Sequence, residues 1–193
     1  AFKFIVGESR LETRDRNAYI YLASESPLSI SGGSQEAVLA DYLLSLILGK
    51  EIPIKRGSGT HPSEWPLYTR SSKSNTLLGA SLITEAASAG KAIDVILSTL
   101  KGLKVTDMEL KAAKKRALND IYTISESSTD NLLEVYPYTP RLEKQILRIG
   151  LTCLDRVSLS DVQASAGRLA QAKFSISSVG NLAHVPYLDS IQK

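Results

Sequence analysis

The side chains best suited to bind a metal ion in this sequence are two histidines and one cysteine. His61 and His184 are separated by most of the chain, and neither has a second histidine at helical spacing. A zinc hydrolase needs several imidazole or carboxylate ligands around one ion, and a further carboxylate to activate water. The motif His-x-x-Glu-His, which places such groups on one helix, is absent. We therefore predict that no residue of this chain ligates a metal ion.

The single cysteine, Cys153, excludes an internal disulfide and a cysteine-based metal site. It lies in the apolar stretch 151–154, where a cysteine usually behaves as a small hydrophobic residue. The absence of paired cysteines is compatible with a reducing compartment, such as the cytosol or an organelle matrix.

Serine catalysis and phosphate binding also lack the required spacing. Gly57-Ser58-Gly59 has glycines directly beside its serine, whereas a nucleophile elbow needs Gly-x-Ser-x-Gly between a strand and a helix. Lys55 and Arg56 precede it, but the segment is too short for the Gly-x-x-x-x-Gly-Lys pattern of a phosphate loop. We therefore predict no catalytic residue, no cofactor-binding residue and no cofactor.

Composition indicates one globular domain. The chain has 193 residues, of which 43% are hydrophobic and 22% charged, and 23 basic against 20 acidic residues give a net charge of +3. The main basic cluster, Lys114-Lys115-Arg116, is interpreted as the solvated face of a helix, so we predict no nucleic-acid partner. The longest apolar run, 42–48, is far shorter than the ~20 residues of a membrane-spanning helix.

The elements that would position these side chains follow from hydrophobic periodicity and from helix-capping residues. Strands are predicted at Ala18–Ala23, Thr76–Thr84 and Phe174–Ser178, and the aromatic and aliphatic composition of the first predicts burial on both faces. Helices are predicted at Ser34–Leu48, Ala89–Leu100, Asp107–Ile124, Asp130–Val135, Arg141–Ile149 and Ser160–Leu169.

Local signals refine these boundaries. Ser34 is a predicted N-cap, and Gly49 is the predicted end of that helix. The segment 52–65 is predicted to be irregular, and 8–16 is a charged run. Thr106 and Glu109 have the spacing of a capping box.

Alternation of strands and helices is typical of a doubly wound parallel sheet. Consecutive helices and a returning terminal strand favour instead an α+β fold, with a largely antiparallel or mixed sheet and helices packed on one face. The helices Ser34–Leu48 and Asp107–Ile124 carry one-sided apolar stripes, which predicts that both lie on that face.

Several sequence blocks occur in an order that is similar to a known family. They are Ile54-Lys55-Arg56-Gly57-Ser58, Leu67-Tyr68, Asn75–Gly79, Ala86-Ala87-Ser88-Ala89-Gly90, Leu110–Lys114 with Glu126-Ser127-Ser128, and Gly180-Asn181-Leu182 with Pro186-Tyr187-Leu188-Asp189. Together they resemble the C-terminal domain of the core protein 2 family of ubiquinol–cytochrome c reductase (respiratory complex III), within the mitochondrial processing peptidase/insulinase superfamily. The chain departs from that family near residues 69–74 and 136–141.

The resemblance implies that residues 1–193 form a single processing-peptidase-like domain, the C-terminal half of a two-domain subunit, which would also account for a first residue other than Met. It further implies a structural subunit on the matrix side of the mitochondrial inner membrane, without a catalytic site of its own. The implied partners are core protein 1 and other complex III subunits in a dimeric complex, with membrane attachment through those partners.

Two alternatives stay open at the level of sequence. One is the non-catalytic α subunit of mitochondrial processing peptidase, which helps to bind presequences. The other is a bacterial-type peptidase of the same superfamily whose zinc-bearing half lies outside this sequence.

Overall fold

The computed structural model describes residues 5–26, 34–56, 70–71, 76–126, 149–150 and 152–191. Within these ranges, five strands form one sheet in the spatial order β1-β5-β2-β4-β3. The strands are β1 (Glu8–Glu12), β2 (Asn17–Ser26), β3 (Arg70–Ser71), β4 (Thr76–Glu85) and β5 (Phe174–Gly180). The three strands predicted from the sequence correspond to β2, β4 and β5.

Pairing in the sheet is antiparallel except at one edge. β2 lies at the centre, with Ile20 opposite Leu82 of β4 and opposite Ser178 of β5. The short β1 runs parallel to β5, with Leu11 opposite Val179. The prediction of a largely antiparallel or mixed sheet is therefore confirmed. The charged run 8–16 gave no indication of β1, because its alternating charges are also typical of a surface loop.

The helices described are α1 (Gln35–Arg56), α2 (Ala89–Gly102), α3 (Asp107–Glu126), α4 (Leu159–Ala170) and α5 (Leu188–Ile191). Short 3₁₀ turns occupy Ala86–Ser88 and Leu154–Arg156. Four predicted helices correspond to α1–α4. The predicted helices Asp130–Val135 and Arg141–Ile149 lie almost entirely outside the described residues.

The core lies between one face of the sheet and the helices. Alternate residues of β2, such as Ile20 and Leu22, are fully buried, because successive strand side chains point to opposite faces. They join one apolar cluster with Leu43 of α1, Ile93 of α2 and Val162 of α4. Helix packing on one face of the sheet is thus confirmed.

The opposite face of β2 corrects the prediction that this strand is buried on both sides. Tyr21 is 44% exposed, and its neighbour on β4, Ile83, is 38% exposed. Tyrosine tolerates such a position because its ring is apolar and its hydroxyl group is polar. A run of aromatic and aliphatic residues therefore did not imply two covered faces.

Helix α1 continues beyond its predicted end at Gly49 to Arg56, so the prediction that 52–65 is irregular is wrong for its first residues. A glycine ends a helix by adopting a left-handed conformation with positive φ. Among the described glycines, Gly180 has such a φ and Gly49 does not. Gly49 keeps helical geometry at a cost of about 1 kcal/mol relative to alanine. The buried side chains of Ile47 and Leu48 offset this cost.

The helix starts show how local hydrogen bonds fix the boundaries. The Ala37 amide donates to Ser34 Oγ at 3.1 Å, as the predicted N-cap requires. The predicted capping box is present, since the Thr106 amide donates to Glu109 Oε2 at 2.7 Å and the Glu109 amide donates to Thr106 Oγ1 at 3.3 Å. Helix α4 begins at Leu159, one residue before the predicted start at Ser160, because Ser158 is the N-cap and forms a capping box with Asp161.

Among the helices described, none has the length and apolarity needed to cross a membrane.

Candidate functional site

The residues considered for metal chemistry are not brought together in the described part of the chain. His184 is exposed in the segment between β5 and α5, and His61 and Gly57-Ser58-Gly59 lie outside the described residues. No group of three or more histidine, cysteine, aspartate or glutamate side chains in the described ranges is placed to hold a metal ion. The absence of a metal site therefore stays a prediction.

Cys153 is a buried packing residue, as its apolar context indicated. It is 3% exposed, and its Sγ atom lies 3.0 Å from Gln35 Oε1 at the start of α1. The thiol is accordingly a donor to an amide oxygen within the protein. Its burial separates it from any substrate in solution.

The most connected polar side chain among the described residues belongs to Arg10, on the edge strand β1. Its guanidinium group donates to three backbone carbonyl groups of the segment after β5, at 3.2 Å to Leu182, 3.0 Å to Val185 and 3.3 Å to Pro186. The same group lies 4.2 Å from the ring centroid of Tyr187. We call these contacts, together with those of Glu8 described next, the Arg10 network.

Glu8 completes the Arg10 network. Its Oε1 atom accepts a hydrogen bond from Arg10 at 3.0 Å, and its Oε2 atom accepts one from the Leu188 amide at 3.0 Å. Since an arginine has a planar, fixed set of donors and no acceptor, it suits a cluster of carbonyl oxygens, of which Leu182 O also accepts the Val185 amide at 3.1 Å. The network joins the first described strand to the last described segment and has no catalytic geometry.

Sequence reasoning missed the Arg10 network. Arg10 lies in the charged run 8–16, and from the sequence alone every charged side chain of this run is expected to be solvated. The signal that singles it out is register: Arg10 is paired with the buried Ser178 of β5 and therefore points to the helix side of the sheet. That pairing is not visible without the fold.

The face of the sheet away from the helices is a second candidate surface. One cross-strand row contains Leu11, Val179, Tyr19 and Ile83, in that order. Leu11 is 60% exposed and Val179 is partly buried. We call this surface, with the neighbouring Tyr21, the open sheet face. Its side chains are apolar, aromatic or hydroxylated, so it is suited to contact rather than to proton transfer.

A cavity of about 250 Å³ lies where the C-terminal ends of α2 and α4 meet the start of β5. Its apolar walls include Leu97, Leu169 and Phe174, and Lys101 and Lys173 are the charged residues that line it. Among its described lining residues there is no carboxylate, histidine or cysteine. Lysine amines are thus the groups at the described wall that could take part in catalysis, and no acidic or imidazole partner stands beside them there.

Comparison with known proteins adds what the geometry alone does not show. No family model matches the chain. In sequence, it is 26% identical over 213 residues to the Mus musculus protein "Cytochrome b-c1 complex subunit 2, mitochondrial", covering 98% of this chain and 45% of that protein. The Homo sapiens protein of the same name is 25% identical over 209 residues, with 96% and 44% covered. The chain thus spans less than half the length of these relatives.

Solved structures identify the fold. A predicted insulinase family protease from Yersinia pestis matches with a TM-score of 0.69 at 11% identity, covering 97% of this chain and 46% of that one. A chain of complex III2 from Candida albicans matches with a TM-score of 0.67 at 15% identity, with 98% and 49% covered. The peptidase M16 inactive domain from Pseudomonas fluorescens matches with a TM-score of 0.61 at 17% identity, with 91% and 43% covered.

These comparisons confirm the resemblance drawn from the sequence blocks. The chain has the fold of peptidase M16 and insulinase-type domains, and over nearly its whole length its sequence is similar to subunit 2 of the cytochrome b-c1 complex.

Proposed function

We propose that the chain is the C-terminal half of a non-catalytic core subunit of respiratory complex III and serves as a scaffold of that complex. The observation that carries this proposal is the match of 98% of the chain to cytochrome b-c1 complex subunit 2, together with a fold match to a chain of complex III2. Relatives more than twice as long support the presence of a second unit in the whole subunit.

A structural role agrees with the chemistry of the described residues. His184 has no metal-binding partner among them, Cys153 is buried, and the Arg10 network holds backbone segments together. A similar domain in Pseudomonas fluorescens is described as inactive. In this proposal the oxidation of ubiquinol takes place on other subunits, and this chain contributes contact surfaces.

The proposed location is the matrix side of the mitochondrial inner membrane, with core protein 1 as the neighbouring subunit in a dimeric complex. Support comes from the relatives, whose names place them in mitochondria and in this complex. The open sheet face supplies exposed apolar side chains, Leu11, Tyr21 and Ile83, of the kind that multi-subunit proteins use for contact.

The test is to identify the partners of the intact subunit. The full-length subunit carrying an affinity tag is isolated from mitochondria that have been solubilised in digitonin, and its partners are quantified by mass spectrometry. We expect cytochrome b and cytochrome c1 in amounts close to that of the tagged subunit. Purification with a processing peptidase β subunit and no cytochromes would contradict the proposal and favour the presequence-binding alternative. An unrelated matrix protein with the same tag is the control.

A further inference from the structure

The exposed side of α3 carries more positive charge than the exposed sides of the other helices described. Its exposed residues recur at intervals of three and four, so they lie on one side of the helix. We define the α3 cationic face by six of them: Met108, Lys111, Ala112, Lys115, Arg116 and Tyr122. Met108 is 78% exposed and Tyr122 is 55% exposed, so the two ends of the face present large apolar groups to the surface.

Positive charge is concentrated in the part of the chain that forms the first half of α3 and the segment before it. Between Lys101 and Arg116 there are six basic and two acidic residues, a local net charge of +4, whereas the whole chain has +3. No carboxylate occurs between Leu110 and Asn119. By contrast, the exposed residues of α2 include Asp94 as well as lysines, and Arg168 of α4 forms an ion pair with Asp41.

The carboxylates nearest to this face either accept hydrogen bonds from other residues or form no ion pair with the cations of the face. Glu109 accepts hydrogen bonds from Thr106, and Asp120 accepts one from the Tyr42 hydroxyl group at 3.2 Å. The ion pairs found within the described ranges are Arg10–Glu8 and Arg168–Asp41. Asp107, one turn before Lys111, forms no ion pair with it in those ranges. The three cations of the face therefore have no described counter-ion.

We propose that the α3 cationic face docks on an acidic surface of a neighbouring protein subunit. Arginine, tyrosine and methionine are enriched at protein interfaces, whereas lysines such as Lys111 and Lys115 suit the polar rim, and a rigid helix fixes the spacing of the charges that a partner must match. Complementary charge across an interface selects the partner and its register. The inference rests on the proposed function for the identity of the neighbour.

A phospholipid surface fits these observations less well. A helix that binds a bilayer through its surface inserts an apolar side among the lipid chains. The apolar side of α3 is already buried in the protein, with Ala117 at 0% and Ile121 at 1% exposure. What remains is a rigid, largely polar face, which favours a structured acidic partner.

The first test removes the charge from the face. In the tagged full-length subunit, the triple variant Lys111→Gln/Lys115→Gln/Arg116→Gln is compared with Arg14→Gln/Arg16→Gln/Lys91→Gln, which removes the same charge from exposed positions elsewhere. Because three charged contacts are lost, retention of the first variant in the complex should fall about tenfold, and that of the control should be unchanged. Equal retention of both variants in the complex overturns the proposal.

The second test maps the contact in the wild-type complex. A carbodiimide, which joins amines directly to carboxylates, should link Lys111 and Lys115 to aspartate or glutamate of another subunit, while Lys91 forms no such link. Links within the chain only would overturn the proposal. Binding of the wild-type subunit to phosphatidylcholine vesicles with phosphatidylglycerol, lost in the triple variant, would overturn it in favour of a membrane.

The two proposals fail separately. Purification with cytochromes, but without the cross-links and with full retention of the triple variant, leaves the proposed function standing and refutes the docking face. Cross-links to an acidic subunit of an assembly without cytochromes support the docking face and refute the complex III assignment.

Discussion

At the scale of single residues, the informative side chains hold the backbone in place. Arg10 is the main example: one guanidinium group binds three carbonyl groups of the segment after β5 and lies against Tyr187. Its side chain is 20% exposed, so these bonds are partly shielded from water. The Gly180–Asp189 block that resembles core protein 2 is therefore held to β1 by a residue outside the block.

The variant Arg10→Met should lower the free energy of unfolding by about 2 kcal/mol, because three partly buried carbonyl groups lose a charged donor. Urea unfolding, followed by circular dichroism, measures this loss. Arg14→Met is the matched control, since Arg14 is exposed and has no described contact. Equal losses in the two variants would show that the Arg10 network contributes nothing to stability.

Asp161 gives a prediction for pH. Hydrogen bonds from the Ser158 side chain, and then from its backbone amide, lower the pKa of the Asp161 carboxyl group, with a further contribution from the charge of Lys114. Because the pKa is lower in the folded state, the carboxylate stabilises the protein above the unfolded pKa of about 4, and this contribution is lost as the pH falls through the folded value.

The variant Asp161→Asn should therefore be less stable than the wild type at pH 7, and the difference should shrink as the pH is lowered below about 4. Thermal unfolding across that range checks it. Asp94→Asn, at an exposed position of α2, should show no such gap at pH 7. A gap for Asp161→Asn that stays constant down to the lowest pH would contradict the assignment.

Metal binding stays a prediction at this scale. We expect the protein to retain no stoichiometric zinc after dialysis against a weak chelator, because its two histidines lie far apart in the sequence and its cysteine is buried. Elemental analysis of the dialysed protein measures this directly. One zinc ion per chain would refute the expectation.

At the scale of elements, hydrophobic periodicity correctly predicted the strands and helix ends that are determined by residues close to one another in the sequence. The alternation in β5 and the capping box before α3 are local patterns, and both were identified correctly. β1 and the helical geometry of α1 at Gly49 depend on partners distant in sequence: β1 is a strand because β5 pairs with it, and the residues of α1 just before Gly49, Ile47 and Leu48, pack on the core. Exposure of the open sheet face was missed for the same reason.

Gly180 is the last residue of β5, where the chain turns into the terminal segment, and substitution of this residue tests the geometry of the turn. Its φ is +113°, and an added Cβ atom would clash with the backbone carbonyl oxygen of Asn17. Gly180→Ala should therefore destabilise the protein by more than about 2 kcal/mol. Gly167→Ala, on an open side of α4, should stabilise it by about 0.5–1 kcal/mol. Denaturant midpoints measure both, and equal effects would contradict the geometry of the turn.

At the scale of the whole molecule, the described residues form a one-sided layer: helices cover one face of the sheet, and the other face presents Tyr21 and Ile83. Relatives in sequence are more than twice as long, so this layer matches less than half of each of them. A domain with an open sheet face, a cationic helix face and no convergent catalytic groups among its described residues is suited to assembly. The proposed function is accordingly support of complex III without participation in its chemistry.

The most direct test is to deplete the full-length subunit and to measure both the amount of assembled complex III and its ubiquinol–cytochrome c reductase turnover per haem. If the subunit is a scaffold, the assembled complex declines together with the subunit, while the complexes that remain keep the turnover of the wild type. Unchanged assembly with lower turnover would show a part in the chemistry. Unchanged assembly and turnover, with accumulation of unprocessed mitochondrial precursors, would contradict the account and indicate a processing-peptidase subunit.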